Sequence, residues 1–181
     1  MQAQNRGEGL SIKIGILSDT HRKAGRAKKI IDLLASVGCE HIIHAGDIVE
    51  EGVLKELKKS SLPFVAVFGN NDKHLRDVKD EYSLVYEPSY FELGGLRFKL
   101  MHIPIYLNPD ADVVIFGHTH KKYINFTGKT LFLNPGEACA RNKDLSECLT
   151  LDISENKFVV TYYYRKIKTD VWNTHETEFI R

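Results

Sequence analysis

Two imidazoles one residue apart, His118 and His120, follow the apolar run VVIF (113–116) and a glycine. The same kind of transition recurs along the chain. Ser18-Asp19-Thr20-His21 follows SIKIGIL (11–17), Gly46-Asp47 follows HIIHA (41–45), Gly69-Asn70-Asn71-Asp72 follows FVAVF (64–68), and His102 follows FKLM (98–101). Each polar cluster stands at the carboxyl end of an apolar run. In an extended segment residues i and i+2 point the same way, so Asp19 and His21 can grip one ion, as can a partner from His118 and His120. Carboxylates gathered in a partly buried site repel one another, and divalent cations resolve that conflict. A mixture of oxygen and imidazole donors suits Mn, Fe, Zn, Co or Ni rather than calcium. The glycines before Asp47, Asn70 and His118 let the backbone turn sharply without a Cβ clash.

The elements that must position these residues are legible from periodicity. The β-branched runs 11–17, 41–45 and 64–68 read as strands. Between the first two, Ala27, Ile30, Ile31, Leu34 and Val37 follow the helical period over Ala24–Ser36, and Gly38 closes the element. Val53, Leu54 and Leu57 mark a second helix that ends before Pro63. Strand, helix, strand, helix, strand predicts parallel pairing with crossover helices. Ligands of such sheets bind at the carboxyl ends of the strands, where the polar clusters fall. Beyond Lys79 no helix of good length is expected. Strands are expected at 81–86, 89–93, 96–101, 112–116, 122–126, 130–133, 147–152 and 157–165, several joined by hairpin turns such as ELGGLR and SENK. The economical packing is one domain over 11–181, two sheets flanked by helices, preceded by a loose polar leader at 1–10.

The bulk composition narrows the function classes. The chain has 181 residues, and its 25 Lys+Arg against 24 Asp+Glu leave a formal charge of +1, which gives no strong nucleic-acid signal. No apolar run approaches the roughly 20 residues needed to cross a bilayer, and the leader lacks a signal peptide's apolar core, so a cytoplasmic protein is expected. Cys39, Cys139 and Cys148 form no CxxC spacing and read as small buried hydrophobes.

Taken in order, SDTH, GD, GNND, the lone His102 and GHTH resemble the motif set of the calcineurin-like metallophosphoesterases, in particular their small bacterial and archaeal phosphodiesterase branch. The resemblance extends from about Ile12 to the NPG at 134–136. It implies a four-layer αββα sandwich with a dinuclear site. Asp19, His21 and His120 would hold one metal, Asn70, His102 and His118 the other, and Asp47 would bridge both. The implied cofactors are two divalent ions, manganese foremost, with Ni, Fe, Zn or Co as alternatives. The implied chemistry is in-line attack of a metal-bridging hydroxide on a phosphate ester, most plausibly a phosphodiester, with a small molecule or nucleotide as substrate. Asn71 stands where the wider family often has a histidine that touches the substrate phosphate. Its carboxamide can donate to phosphate but cannot serve as a useful general acid. His102 is followed by Ile-Pro instead of a glycine, the segment 103–116 lacks the helix common there, and Glu137 replaces the usual serine after NPG. These departures keep a second reading open, a protein-binding scaffold with little or no catalysis, as in the related retromer subunit. A homodimer is a further possibility.

The remaining polar residues carry more ordinary expectations. Asp72 divides evenly between supporting its own turn and serving the site. His44 reads as a packed histidine behind the ligands, and His41, His74 and His175 as surface residues. Tyr162, Tyr163 and Tyr164 read as core aromatics instead of a base-stacking platform. The Lys/Arg cluster at 22–29 reads as the solvated face of the first helix, close enough to the site to attract phosphate.

Overall fold

The computed structural model describes residues 11–181, so the expected leader at 1–10 lies outside the described residues. Three parallel strands, β1 (Ile12–Leu17), β2 (His41–His44) and β3 (Phe64–Val67), are joined by α1 (Ala24–Ser36) and α2 (Glu51–Lys59). The short β4 (Leu84–Val85) adds a fourth parallel strand. On the other side of β1 lie three antiparallel strands, β10 (Leu145–Ile153), β11 (Lys157–Lys166) and β12 (Asn173–Ile180). The seven run in the order β12-β11-β10-β1-β2-β3-β4. The second sheet has the order β5-β6-β7-β9-β8, from β5 (Ser89–Leu93), β6 (Leu96–Leu100), β7 (Val113–Ile115), β8 (Tyr123–Phe126) and β9 (Leu131–Asn134).

Apolar alternation explains the layers. Ile14, Ile16, Ile43 and Val67 face the second sheet's Phe98, Leu100, Val113, Ile115, Leu131 and Leu133, and all ten are fully buried. On the opposite face of the first sheet, Leu17, Ile42 and Ala66 meet Ile30 and Leu34 of α1 and Leu54 and Leu57 of α2. Each such aliphatic side chain contributes about 1.5–3 kcal/mol through removal from water, which outweighs the small helix propensities of these segments. Tyr162 and Tyr164 pack with the inter-sheet core and Tyr163 with the helix side, as expected of core aromatics.

Register places the site. Leu17 pairs with His44, and His44 with Ala66, so β1, β2 and β3 finish level. In the second sheet Leu100, Ile115 and Leu133 stand in one row. All five polar clusters therefore leave their sheets along one rim.

The expected sandwich is present, and its fourth layer has a particular form. Among the described residues, the outer face of the second sheet carries no helix. It is covered by the coil of 103–111, held by Lys99 of β6, whose ammonium donates to the Tyr106 carbonyl at 2.7 Å and to Asp110 at 3.0 and 3.2 Å. The strand expected at 81–86 is shortened, because Lys73–Glu81 forms a 3-10 segment with only Leu75 buried. The edge strand β12 was not expected. Its sequence NTHETEFI shows little apolar alternation, since apart from Phe179, which packs against Phe126, it is held by its ladder with β11. The helical layer and both sheets otherwise follow the expected order.

Candidate metal centre

All seven candidate ligands converge on the rim, in two sets on either side of Asp47. In the first, His21 Nε2 stands 3.3 Å from His120 Nε2, 3.8 Å from Asp19 Oδ1 and 3.5 Å from Asp47 Oδ2. His120 Nε2 is also 3.3 Å from Asp19 Oδ1. In the second, His102 Nε2 lies 3.5 Å from the other Asp47 oxygen, Oδ1, and 3.2 Å from Asn70 Oδ1, which in turn is 3.1 Å from His118 Nδ1. Donors about 2.1 Å from one ion stand roughly 3.0–3.4 Å from each other, which is close to these separations.

Proton accounting also favours a cation. His120 Nδ1 donates to Glu137 Oε2, at 2.5 Å, which fixes the ring in the tautomer a metal ligand needs, with Nε2 toward Asp19 Oδ1. That oxygen is buried and has no hydrogen-bond donor among the described residues. A buried carboxylate oxygen left without a donor is costly, and an ion there removes the cost. His102 Nδ1 likewise donates to the Ala45 carbonyl at 2.8 Å, leaving Nε2 directed at Asp47 and Asn70. The donor set therefore fits divalent metal.

Charge at the site is finely divided. Burial raises the pKa of Asp19, against the lowering effects of Ser18, His102 and His120. Burial also acts on Asp47, but His102 and the two Asn71 donors outweigh it and hold this carboxyl well below the usual range. Burial lowers His21. It acts the same way on His102, where the Asp47 carboxylate prevails and raises the pKa. A metal held by His102 Nε2 and Asp47 competes with any proton on these groups.

The backbone is bent hard to achieve this. Asp19, His21, Asp47, His118 and His120 have φ of 54°, 37°, 55°, 65° and 57°, in the left-handed region that costs a side-chain-bearing residue about 1 kcal/mol or more. Cross-loop bonds hold the bends, among them Asp19 N to Gly46 O at 2.9 Å and His21 N to Asp47 O at 3.1 Å. Gly46, at φ 88°, supplies the free turn that the sequence implied. Gly69 serves for another reason. A Cβ there would lie 2.3 Å from both the amide nitrogen and Oδ1 of Asp47, so its role is close approach.

Comparison with known proteins decides the family. Residues 12–156 match the calcineurin-like phosphoesterase superfamily domain. The chain belongs to that superfamily. Among its relatives is phosphodiesterase MJ0936 of Methanocaldococcus jannaschii, 29% identical over 161 residues, or 81% of this chain and 96% of that one. A solved archaeal phosphodiesterase superposes with a TM-score of 0.68 at 26% identity, covering 92% of this chain and all of that one. Vacuolar protein sorting 29 of Cryptosporidium parvum shares the fold, with a TM-score of 0.74 at 19% identity over 95% and 100% of the two chains.

The other polar residues around this phosphoesterase's rim divide between expected and unexpected parts. Asn71 is exposed, and both its amide nitrogen and its Nδ2 donate to Asp47, at 3.0 and 2.7 Å. Its carboxamide thus braces Asp47 at the edge of the neighbouring cavity. Asp72 is buried and accepts from Ile48, Val49 and Gly69 nitrogens at 3.1, 2.7 and 2.8 Å, so it ties its own turn to the Asp47 loop. His44 is buried as expected. Its Nδ1 accepts from Gly46 N at 3.2 Å and its Nε2 meets Thr20 Oγ1 at 3.1 Å. His74 and His175 are exposed, whereas His41 is half-buried and its Nδ1 is without a partner among the described residues.

Two residues beside the first donor set were not recognised from sequence. In the sequence Glu137 stands out only as a departure from serine. It accepts from His120 and from the amides of Asn142 and Lys143, at 2.7 and 2.9 Å, and so orients a ligand imidazole. Cys139 lies with His21 and His120 in one cluster of potential donors. Burial pushes its thiol up to about 12, so it stays protonated there. The NPG-Glu spacing after a strand was the available signal for Glu137. For Cys139 there was none.

Proposed function

We propose that this chain hydrolyses phosphodiesters at a dinuclear metal site formed by the seven rim residues. The observation that carries this reading is the division of the Asp47 carboxylate, one oxygen toward each donor set. Asp19, His21 and His120 would hold one ion, and Asn70, His102 and His118 the other, with manganese the expected metal. When bound, two such ions supply Lewis acidity at a phosphoryl oxygen and an activated water for in-line attack on phosphorus. The chain's own part is to steady the Asp47 carboxylate through the two Asn71 donors and to present His102 and His120 through Nε2 by fixing their Nδ1 protons on Ala45 O and Glu137. Asn71 steadies Asp47 and has no proton to give a leaving group at neutral pH. The proposal includes a cytoplasmic setting; no helix among the described residues is long and apolar enough to cross a membrane.

A second reading, a protein-binding scaffold, is favoured by one feature. The coil of 103–111 exposes Ile105, Tyr106 and Leu107 in succession, at 67%, 56% and 41% of their surfaces. The two readings separate on the purified protein by metal analysis and by hydrolysis of bis-p-nitrophenyl phosphate with added Mn²⁺. The expected result is about two ions per chain and turnover that falls on the order of a thousandfold or more in Asp47→Ala and His120→Ala. Bound metal without turnover would establish the scaffold reading instead.

A further inference from the structure

A cavity of about 610 Å³ opens beside the metal centre and shares His21 and Asn71 with it. Its other walls hold Arg22, Lys23, Arg26 and Arg141, and among the described residues no Asp or Glu lines it. The contrast with the rest of α1 matters. Lys28 and Lys29, one turn further along, pair with Asp32 and Asp170. Arg22, Lys23, Arg26 and Arg141 form no ion pair with a described residue. Four like charges around one hollow repel one another, and a chain whose overall charge is only +1 has no general excess of cations to explain them. Arg26 is also anchored, because its guanidinium donates to the Cys139 carbonyl and ties α1 to the loop that carries Ala140 and Arg141. The start of α1 adds to the field, since Lys23 precedes it without a side-chain cap and its first turn holds no acid.

We infer that this cavity binds a second phosphoryl group of the substrate, so that the preferred substrate is a phosphodiester with a further phosphate on the arm next to the scissile one. The inference rests on the phosphodiesterase reading and adds to it the class of substrate. Three guanidinium groups and an ammonium suit the geometry and charge of a phosphate monoester, which carries between one and two negative charges at neutral pH. The volume lies within the range of small-molecule sites and accommodates a nucleotide-sized arm. Val49 and Ala140 supply the apolar portion of the wall.

The test compares dithymidine monophosphate with its 5′-phosphorylated form. With Mn²⁺ at low ionic strength, the phosphorylated compound should be hydrolysed with a kcat/KM at least about tenfold higher, the size of one charge-assisted hydrogen bond. In Arg22→Gln/Arg141→Gln that ratio should fall toward one, and added salt should erode it in the wild type. Because the readout is a ratio, a partly misfolded variant does not counterfeit the result. Equal rates for the two compounds in the wild type would overturn the inference and leave the phosphodiesterase reading intact. Failure to hydrolyse either compound, or bis-p-nitrophenyl phosphate, would overturn that reading instead. Equilibrium binding of the same two compounds, fluorescently labelled and measured with metal-free wild type and variant, then decides. Tighter binding of the phosphorylated form, lost in the variant, supports the cavity's role, and equal binding refutes it.

Discussion

Asp19 at the rim and Lys99 on the outer face of the second sheet are almost equally withdrawn from water, at 0% and 1% exposure. Their surroundings differ completely. Lys99 finds the Tyr106 carbonyl and both oxygens of Asp110, and it also lies 5.6 Å from the centre of the Tyr90 ring. Asp19 keeps one oxygen with no donor among the described residues, opposite the Nε2 of His120. A buried charge that carries its own partners organises structure, here a coil in place of a helix. A buried carboxylate oxygen with no donor leaves a place for something from outside the chain. Backbone strain is distributed in the same way. Five of the seven candidate ligands have positive φ, while none of the residues of the 103–111 coil does.

Substituting Glu137 tests the rim side of this contrast. Glu137→Ala frees the His120 ring to rotate and removes the acceptor that fixes its proton on Nδ1. Loss of such an outer partner typically costs ten- to a hundredfold in metal affinity or activity. Manganese titration by calorimetry should therefore show one of two sites weakened by about that factor, with the other nearly unchanged. Equal weakening of both sites would mean that Glu137 acts on the whole rim and not through His120.

The outer-face side is tested by Lys99→Met, which keeps the length of the side chain and removes its hydrogen bonds. The bonds are to a carbonyl and to a carboxylate that is 37% exposed, so the expected loss is about 1–3 kcal/mol, at the lower end if water takes over Asp110. For a chain of this size that lowers Tm by roughly 2–8 °C. Hydrogen exchange should quicken over 103–111, while hydrolysis of bis-p-nitrophenyl phosphate stays within about twofold of the wild type. Unchanged exchange in that segment would show that the coil is held by other contacts.

The same contrast explains what could be read from the sequence. The five strand-end clusters were legible because strand ends are marked twice, by the close of an apolar run and by a glycine or polar residue where burial stops. Asp19, His21, Asp47, Asn70, His102, His118 and His120 all fall at such places, and the parallel order of β1, β2 and β3 brings several of them together. Residues that support the site from elsewhere carried no such mark. Glu137 carries only the faint signal of its place after NPG, and its part shows in its distance to His120; the cationic cavity shows only in the meeting of α1 with the loop at Arg141. β12 was missed because Asn173–Ile180 is largely exposed and lacks the alternation of a half-buried strand. The 3-10 segment was missed because one buried leucine in nine residues makes no pattern.

Acid should separate the two kinds of buried group at the rim itself. His44 lies behind the donor sets, yet it resembles Lys99 in being satisfied on both sides, by Gly46 N and Thr20 Oγ1. Burial pushes its pKa down to about 3. In the unfolded chain it takes up a proton below about pH 6.5, and in the folded protein only below about 3. Between those values the unfolded state binds more protons, so stability is full above pH 6.5 and falls as the solution is acidified, by up to about 1.4 kcal/mol per pH unit from this group. Urea unfolding of the metal-free protein between pH 7 and 5 should show that fall, and His44→Gln should flatten it while lowering stability at pH 7. Metal-free conditions matter, because release of ions from the neighbouring carboxylates and imidazoles would add its own pH dependence. If wild type and His44→Gln lose stability in parallel on acidification, the groups that take up protons are those of the donor sets, and the distinction between a satisfied histidine and its unsatisfied neighbours has no thermodynamic weight.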